Sequence, residues 1–146
     1  MVDSSVTRDH NLDVLQGLGF IKYSNTTVFH KDRISLLSPA VAENQSGGYW
    51  FDVRKVNIDR LGSVAYLCVR IVPDLFVLEP WDKISELITP ELMDNRPNSG
   101  DVWGLGVTFQ VNCMTAQLFN KSSSSTKVNS TLLTRDEVIN ALNSLV

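Results

Sequence analysis

Residues 47–81 read GGYWFDVRKVNIDRLGSVAYLCVRIVPDLFVLEPW, and the pattern of this stretch decides the fold class. Residues 49–58 and 64–72 are rich in β-branched and aromatic side chains, with Gly62–Ser63 between them. They predict two long strands joined by a short turn. Successive strand side chains point to opposite faces. Trp50, Asp52, Arg54 and Val56 therefore project together, and Phe51 and Val53 project the other way. An acid and a base share a face within an otherwise apolar run. Charges in such a place are costly unless they are paired or used. Asp52 and Arg54 are thus the first candidates for a site. Beyond a break at Pro73–Asp74, residues 75–78 continue the second strand, and Pro80–Trp81 end it.

Outward from this stretch, residues 9–18 predict a first helix, with Asp9 as N-cap, a stripe of Leu12, Val14, Leu15 and Leu18, and Gly17 and Gly19 at its end. Residues 27–38 supply strand-forming Val28, Phe29, Ile34, Leu36 and Leu37, with a hairpin or bend near Lys31–Asp32. Residues 82–88 predict a short helix, and Thr89-Pro90-Glu91 starts another, with proline at the first helical position. Gly100–Gly106 (GDVWGLG) fits neither the P-loop nor the dinucleotide spacing and reads as a loop leading into a strand over 102–111. NKSSSSTKVNST, residues 120–131, has the composition of a flexible segment. Thr134-x-x-Glu137 is a capping box ahead of Val138, Ile139, Leu142 and Leu145. The expected order is α-β-β-β-α-β-α, a mixed central sheet with flanking helices, of α/β or α+β class. The 146 residues fit one globular domain, 1–146, with the flexible segment 120–131 before the C-terminal helix.

Composition narrows the function classes. The net charge of −3 weighs against strong non-specific nucleic-acid binding, which depends on neutralising phosphates with Lys and Arg. The charge is uneven, however: residues 73–112 carry seven Asp/Glu against two Lys/Arg, whereas the segments on either side are slightly basic. A local basic surface on an acidic protein is compatible with this distribution. Cys68 and Cys113 lack metal-site spacing. With no apolar leader-like segment near Met1 and no run of about 18 apolar residues, the expectation is a cytoplasmic protein in a reducing compartment that does not enter a membrane.

The element order, Leu18-Gly19-Phe20 at the entry to the sheet, and an acid on one strand followed by Asp52-Val53-Arg54 on the next resemble the PD-(D/E)xK nuclease superfamily, the restriction-endonuclease-like fold. Residues 66–81, YLCVRIVPDLFVLEPW, are similar to the strand that follows the motif strand in that family. The resemblance implies DNA as partner and Mg²⁺ as cofactor. Asp32 and Asp52 would be metal ligands, Asp13 a third, and Arg54 the charge-stabilising cation, so that Asp32, Asp52 and Arg54 form the catalytic set. Two acids suffice to hold a cation that keeps several waters, and the metal would polarise the phosphate and activate a water. The motif departs from the family at two places. Arg54 stands where lysine is usual and cannot act as a base, and Lys31 rather than proline precedes Asp32.

Two other readings stand beside it. Asp52 and Arg54 can pair with one another, or with Arg70 and Asp59, as ordinary cross-strand charges worth about 0.2–1 kcal/mol. Alternatively, the chain is a non-enzymatic binding or homo-oligomerisation module whose surface is marked by Trp50, Tyr66, Arg70 and Trp103, because aromatic and Arg anchors dominate interfaces.

Overall fold

A computed structural model describes residues 14–23, 26–43, 49–71, 75–97 and 100–145. It is an α+β fold made mostly of strands. Helix α1 is described over residues 14–17. The chain continues through β1 (Ile21–Lys22), β2 (Val28–Lys31), β3 (Ile34–Leu37), β4 (Ala42–Glu43), β5 (Tyr49–Arg54), α2 (Lys55–Ile58), β6 (Val64–Ile71), β7 (Leu75–Pro80) and α3 (Trp81–Ile84). Two 3₁₀ turns follow, at Ser85–Leu87 and Pro90–Leu92. The chain ends with β8 (Asp94–Arg96), β9 (Gly100–Gln110), β10 (Thr115–Asn120), β11 (Ser123–Thr131), β12 (Leu133–Thr134) and α4 (Arg135–Ser144).

The strands form two sheets rather than one central sheet. The first has the order β1-β2-β3-β6-β7-β12 and the second β11-β10-β9-β5-β4, with β8 also paired to β9. β6 explains the layering. Leu67, Val69 and Ile71 face the second sheet in one core, together with Phe51, Val53 and Leu105. Cys68, on the opposite face of β6, packs with Leu15, Phe76, Val138 and Leu142 in another. A strand covered on both sides reads as a mostly apolar run, as this one does with the exception of Arg70. The first sheet is therefore the middle layer, between α1 and α4 on one side and the second sheet on the other. The second sheet buries one face only, so β5 alternates: Phe51 and Val53 are 1% exposed, while Trp50 and Asp52 are half-buried and Arg54 is exposed.

The two long strands of residues 49–72 are not partners. β5 pairs with β4 and β9, whereas β6 pairs in parallel with β3 and antiparallel with β7. The first of them also ends early, at Arg54. Lys55–Ile58 form a helical turn that carries the chain from one sheet to the other, and this places Val56 outside the strand alternation. β7 does not extend β6 but turns back along it, with Ile71 opposite Leu75. The break at Pro73–Asp74 lies outside the described residues. Residues 120–131, expected to be flexible, form the last residue of β10, the turn after it and the edge strand β11, which pairs with β10 from Thr131 to Lys127 and, past an irregularity, at Ser123. The loop expected at Gly100–Gly106 is the first half of β9.

The C-terminal capping box forms as its spacing predicts. The Thr134 hydroxyl accepts from the Glu137 amide at 3.3 Å, and the Glu137 carboxylate accepts from the Thr134 amide at 2.9 Å. The hairpin near Lys31–Asp32 is also present, with Lys31 opposite Ile34 and Asp32–Arg33 as its two-residue loop.

Cys68 and Cys113 are both free thiols, one buried and one exposed. Burial pushes the Cys68 thiol from 9.0 up to about 12. The unfolded chain therefore ionises this thiol before the folded protein does. Its contribution to stability is complete below pH 9 and is lost as pH rises towards 12, at roughly 1 kcal/mol per pH unit. Thermal melts between pH 8 and 11 are expected to fall more steeply for the wild type than for Cys68→Ala. Equal slopes would remove Cys68 as the cause.

Candidate functional site

β5 carries Asp52 on the solvent-facing side of the second sheet. Its cross-strand partner on β9 is Gly104, and that of Trp50 is Gly106. Both glycines lie on the same outer face, so this part of the sheet has no side chains between its neighbours. On the far side of β9, Phe119 of β10 pairs with Gly106 and, across the next ladder, with Lys127 of β11. One lateral row across the sheet thus reads Lys127, Phe119, Gly106, Trp50. The Phe119 ring occupies the space a side chain at position 106 would need, since a Cβ there would lie 2.4 Å from Phe119 Cζ.

The next row holds the charges. The Arg96 guanidinium of β8 donates to Asp52 Oδ2 at 2.8 Å and to Asp94 at 3.3 Å. The hydrogen bond that Arg96 donates to Asp52 raises the Arg96 pKa further above its already high value. The pair is about a third exposed, with side-chain exposures of 36% and 29%. It is therefore worth no more than about 1 kcal/mol. Asp52 Oδ1 has no hydrogen-bond partner. Lys121, in the turn after β10, is held by its backbone amide, which donates to Gly104 O at 2.9 Å. Its ammonium sits over the Trp50 ring, 4.7 Å from the centroid.

Beside the aromatic row, on the side away from the charges, lies an open depression of about 330 Å³, with Thr108, Gln110, Gln117 and Asn129 among its lining residues. Gln117 donates to Asn129 Oδ1 at 2.9 Å, which leaves the Gln117 carbonyl and the Asn129 amide group oriented for further hydrogen bonds. The face therefore combines flat aromatic surface, cations and amides.

The residues expected to form a metal site are dispersed. Asp32 lies in the two-residue turn of the first sheet at φ 53°, a backbone conformation that aspartate tolerates better than most residues. Asp52 lies in the second sheet and faces away from the first, so the structure does not bring the two carboxylates together. One carboxylate oxygen of Asp52, Oδ2, is already held by Arg96. Asp13 lies outside the described residues. Among those residues, no group of three His, Cys, Asp or Glu side chains is placed to hold a metal ion. Arg54 shares the Asp52 face, as its spacing predicts. Of the proposed interface residues only Trp50 is on that face. Trp103 is buried on the opposite side of the same sheet, its indole donating to Thr89 O at 2.8 Å, and Tyr66 and Arg70 belong to the first sheet. Lys55 and Asp59 pair with each other along α2, at 3.4 Å.

Sequence reasoning missed Arg96, Gly104, Gly106, Phe119 and Lys121. Phe119 and Lys121 are two residues apart, the spacing that shares a strand face, but both sit at the edge of the segment whose composition resembles a linker. Among the described residues no helix is long and apolar enough to cross a membrane. No family model, curated protein or solved structure matches this chain.

Proposed function

We propose that the protein is a non-enzymatic binding module that takes an anionic ligand on the outer face of its second sheet. The observation that carries this reading is Lys121 over Trp50 on the glycine-floored surface, with Lys127, Arg96 and Arg54 around it. Arg96 is held by Asp52 and Asp94, whereas Lys121 and Lys127 add positive charge to the same face of a chain of net charge −3. Complementary local charge draws an anionic ligand even to a protein of opposite net charge.

Retention on a heparin column tests the reading. The wild type is expected to bind at low salt and elute as salt rises. The double variant Lys121→Glu/Lys127→Glu is expected to flow through. Lys83→Glu, which changes a lysine paired with Glu79 on α3, is expected to elute with the wild type. A double variant that elutes with the wild type, or a wild type that is never retained, overturns the reading. Mg²⁺- and Mn²⁺-supplemented plasmid assays are expected to show no cutting above that of Asp52→Ala.

A further inference from the structure

Resting on that anion-binding reading, we infer that the ligand is single-stranded nucleic acid, with successive bases stacked on Phe119 and on Trp50, from whose ring Lys121 swings aside, and with the phosphates drawn to Lys121 and Lys127. Each part of this ligand has a counterpart on the sheet. The two rings lie in one lateral row, separated only by Gly106. Their strands are two apart, about 10 Å at the usual spacing, and Phe119 leans over Gly106 towards Trp50 and shortens that gap. Two unstacked bases can bridge such a distance, because single strands extend and splay as duplexes do not. Base–aromatic stacking contributes regardless of sequence, since every base has a π-face.

The cations are interleaved with the rings rather than set apart from them. Lys121 contacts the Trp50 ring itself, and Lys127 is the cross-strand neighbour of Phe119. A backbone that follows the row therefore passes a cation beside each stacked base. The amide-lined depression lies alongside the row, one residue pair from it, with Gln117 opposite both Thr108 and Asn129. Amides in that position can meet the hydrogen-bonding edges of bases whose faces are stacked on the rings. A duplex hides those faces, and a sulfated glycan has no aromatic faces to stack. The shared chemistry of the three is negative charge. What separates them is the demand for aromatic surface.

The test uses the full chain and three fluorescently labelled probes: a single-stranded oligothymidylate, a blunt duplex of the same length, and heparin. Fluorescence anisotropy reads each affinity for the wild type, Trp50→Leu and Phe119→Leu. Leucine keeps apolar volume over the sheet but removes the π-face, and circular dichroism confirms that each variant is folded. The oligothymidylate is expected to bind more tightly than the duplex, and each leucine variant to weaken it about tenfold while leaving heparin binding unchanged. Lys121→Ala is expected to lower the slope of log affinity against log salt by about 0.7. Equal binding of all three probes, unaffected by the leucine variants, overturns the single-strand assignment while leaving the anion-binding reading in place. Retention of heparin without any oligothymidylate binding does the same. Loss of heparin retention itself strikes the underlying reading.

Discussion

Asn120→Ala is expected to cost about 2–4 kcal/mol of stability, a fall in melting temperature of about 5–15 °C for a chain of this size. Asn120 is fully buried at the end of β10. Its side chain donates to Leu87 O at 2.9 Å, and its carbonyl accepts from the Ser122 amide at 2.8 Å. These bonds tie the turn before β11 to the 3₁₀ turn at Ser85–Leu87, so one side chain joins the second sheet to the segment that follows α3. Alanine removes both bonds and leaves the Leu87 carbonyl with one partner fewer in a buried place. Removing one partner of a buried pair costs more than the net worth of the bond, because the remaining group keeps its desolvation penalty. Asn120→Asp separates the two bonds. The carboxylate still accepts from Ser122 but cannot donate to Leu87, and it adds a buried charge. Its destabilisation is expected to exceed that of alanine at neutral pH and to lessen on acidification, as the protonated acid regains a donor. Urea or thermal unfolding of both variants across pH 4–7 checks this. An Asn120→Ala protein as stable as the wild type would rule out the tether.

The two halves of the 49–72 stretch show how far the sequence carries the fold. The alternation of β5 and the mostly apolar run of β6 match the one and the two covered faces these strands have in the fold. They do not state which strand each one pairs with, because side-chain periodicity fixes a face and leaves the hydrogen-bonding partner open. Four residues of helix between them, with no distinctive cap, are enough to send β6 to the other sheet. β11 failed to register for the opposite reason. Val128 and Ser130 are its buried residues among those whose side chains are described, so an edge strand with a solvated outer face has the composition of a linker. Asp32 enters the metal hypothesis only through the family resemblance, as the acid on the strand before Asp52. Its position is explained by the turn, where aspartate is favoured at positive φ. Asp52 and Arg54 were legible as a shared face. Arg96, forty-four residues from Asp52, becomes its partner only through the pairing of β8 with β9, which no local pattern encodes.

Gly106→Val is expected to abolish most oligothymidylate binding while leaving the protein folded. The backbone at Gly106 does not occupy the left-handed region, so a side chain is not excluded by conformation. It is excluded by space. A Cβ would lie 2.4, 2.7 and 2.9 Å from three atoms of the Phe119 ring, and valine adds two methyl groups beyond that. The ring is the free end of a side chain on an open face, and it can rotate away into solvent. The change gives up some packing of Phe119 but replaces glycine with a strong strand former, worth about 0.5–1 kcal/mol in the other direction. Net stability is therefore expected to move by no more than about 1–2 kcal/mol. Binding is expected to fall by tenfold or more, because the displaced ring no longer lies in the row with Trp50. Gly104→Ala is the control. Its Cβ would meet Arg96, Lys121 and Asp52 at 3.5–3.7 Å, ordinary contact, and affinity is expected to stay near that of the wild type. The two glycines share a strand and a face, and they differ in what stands over them. A Gly106→Val protein that bound oligothymidylate as tightly as Gly104→Ala would show that the Phe119 ring has no part in the site.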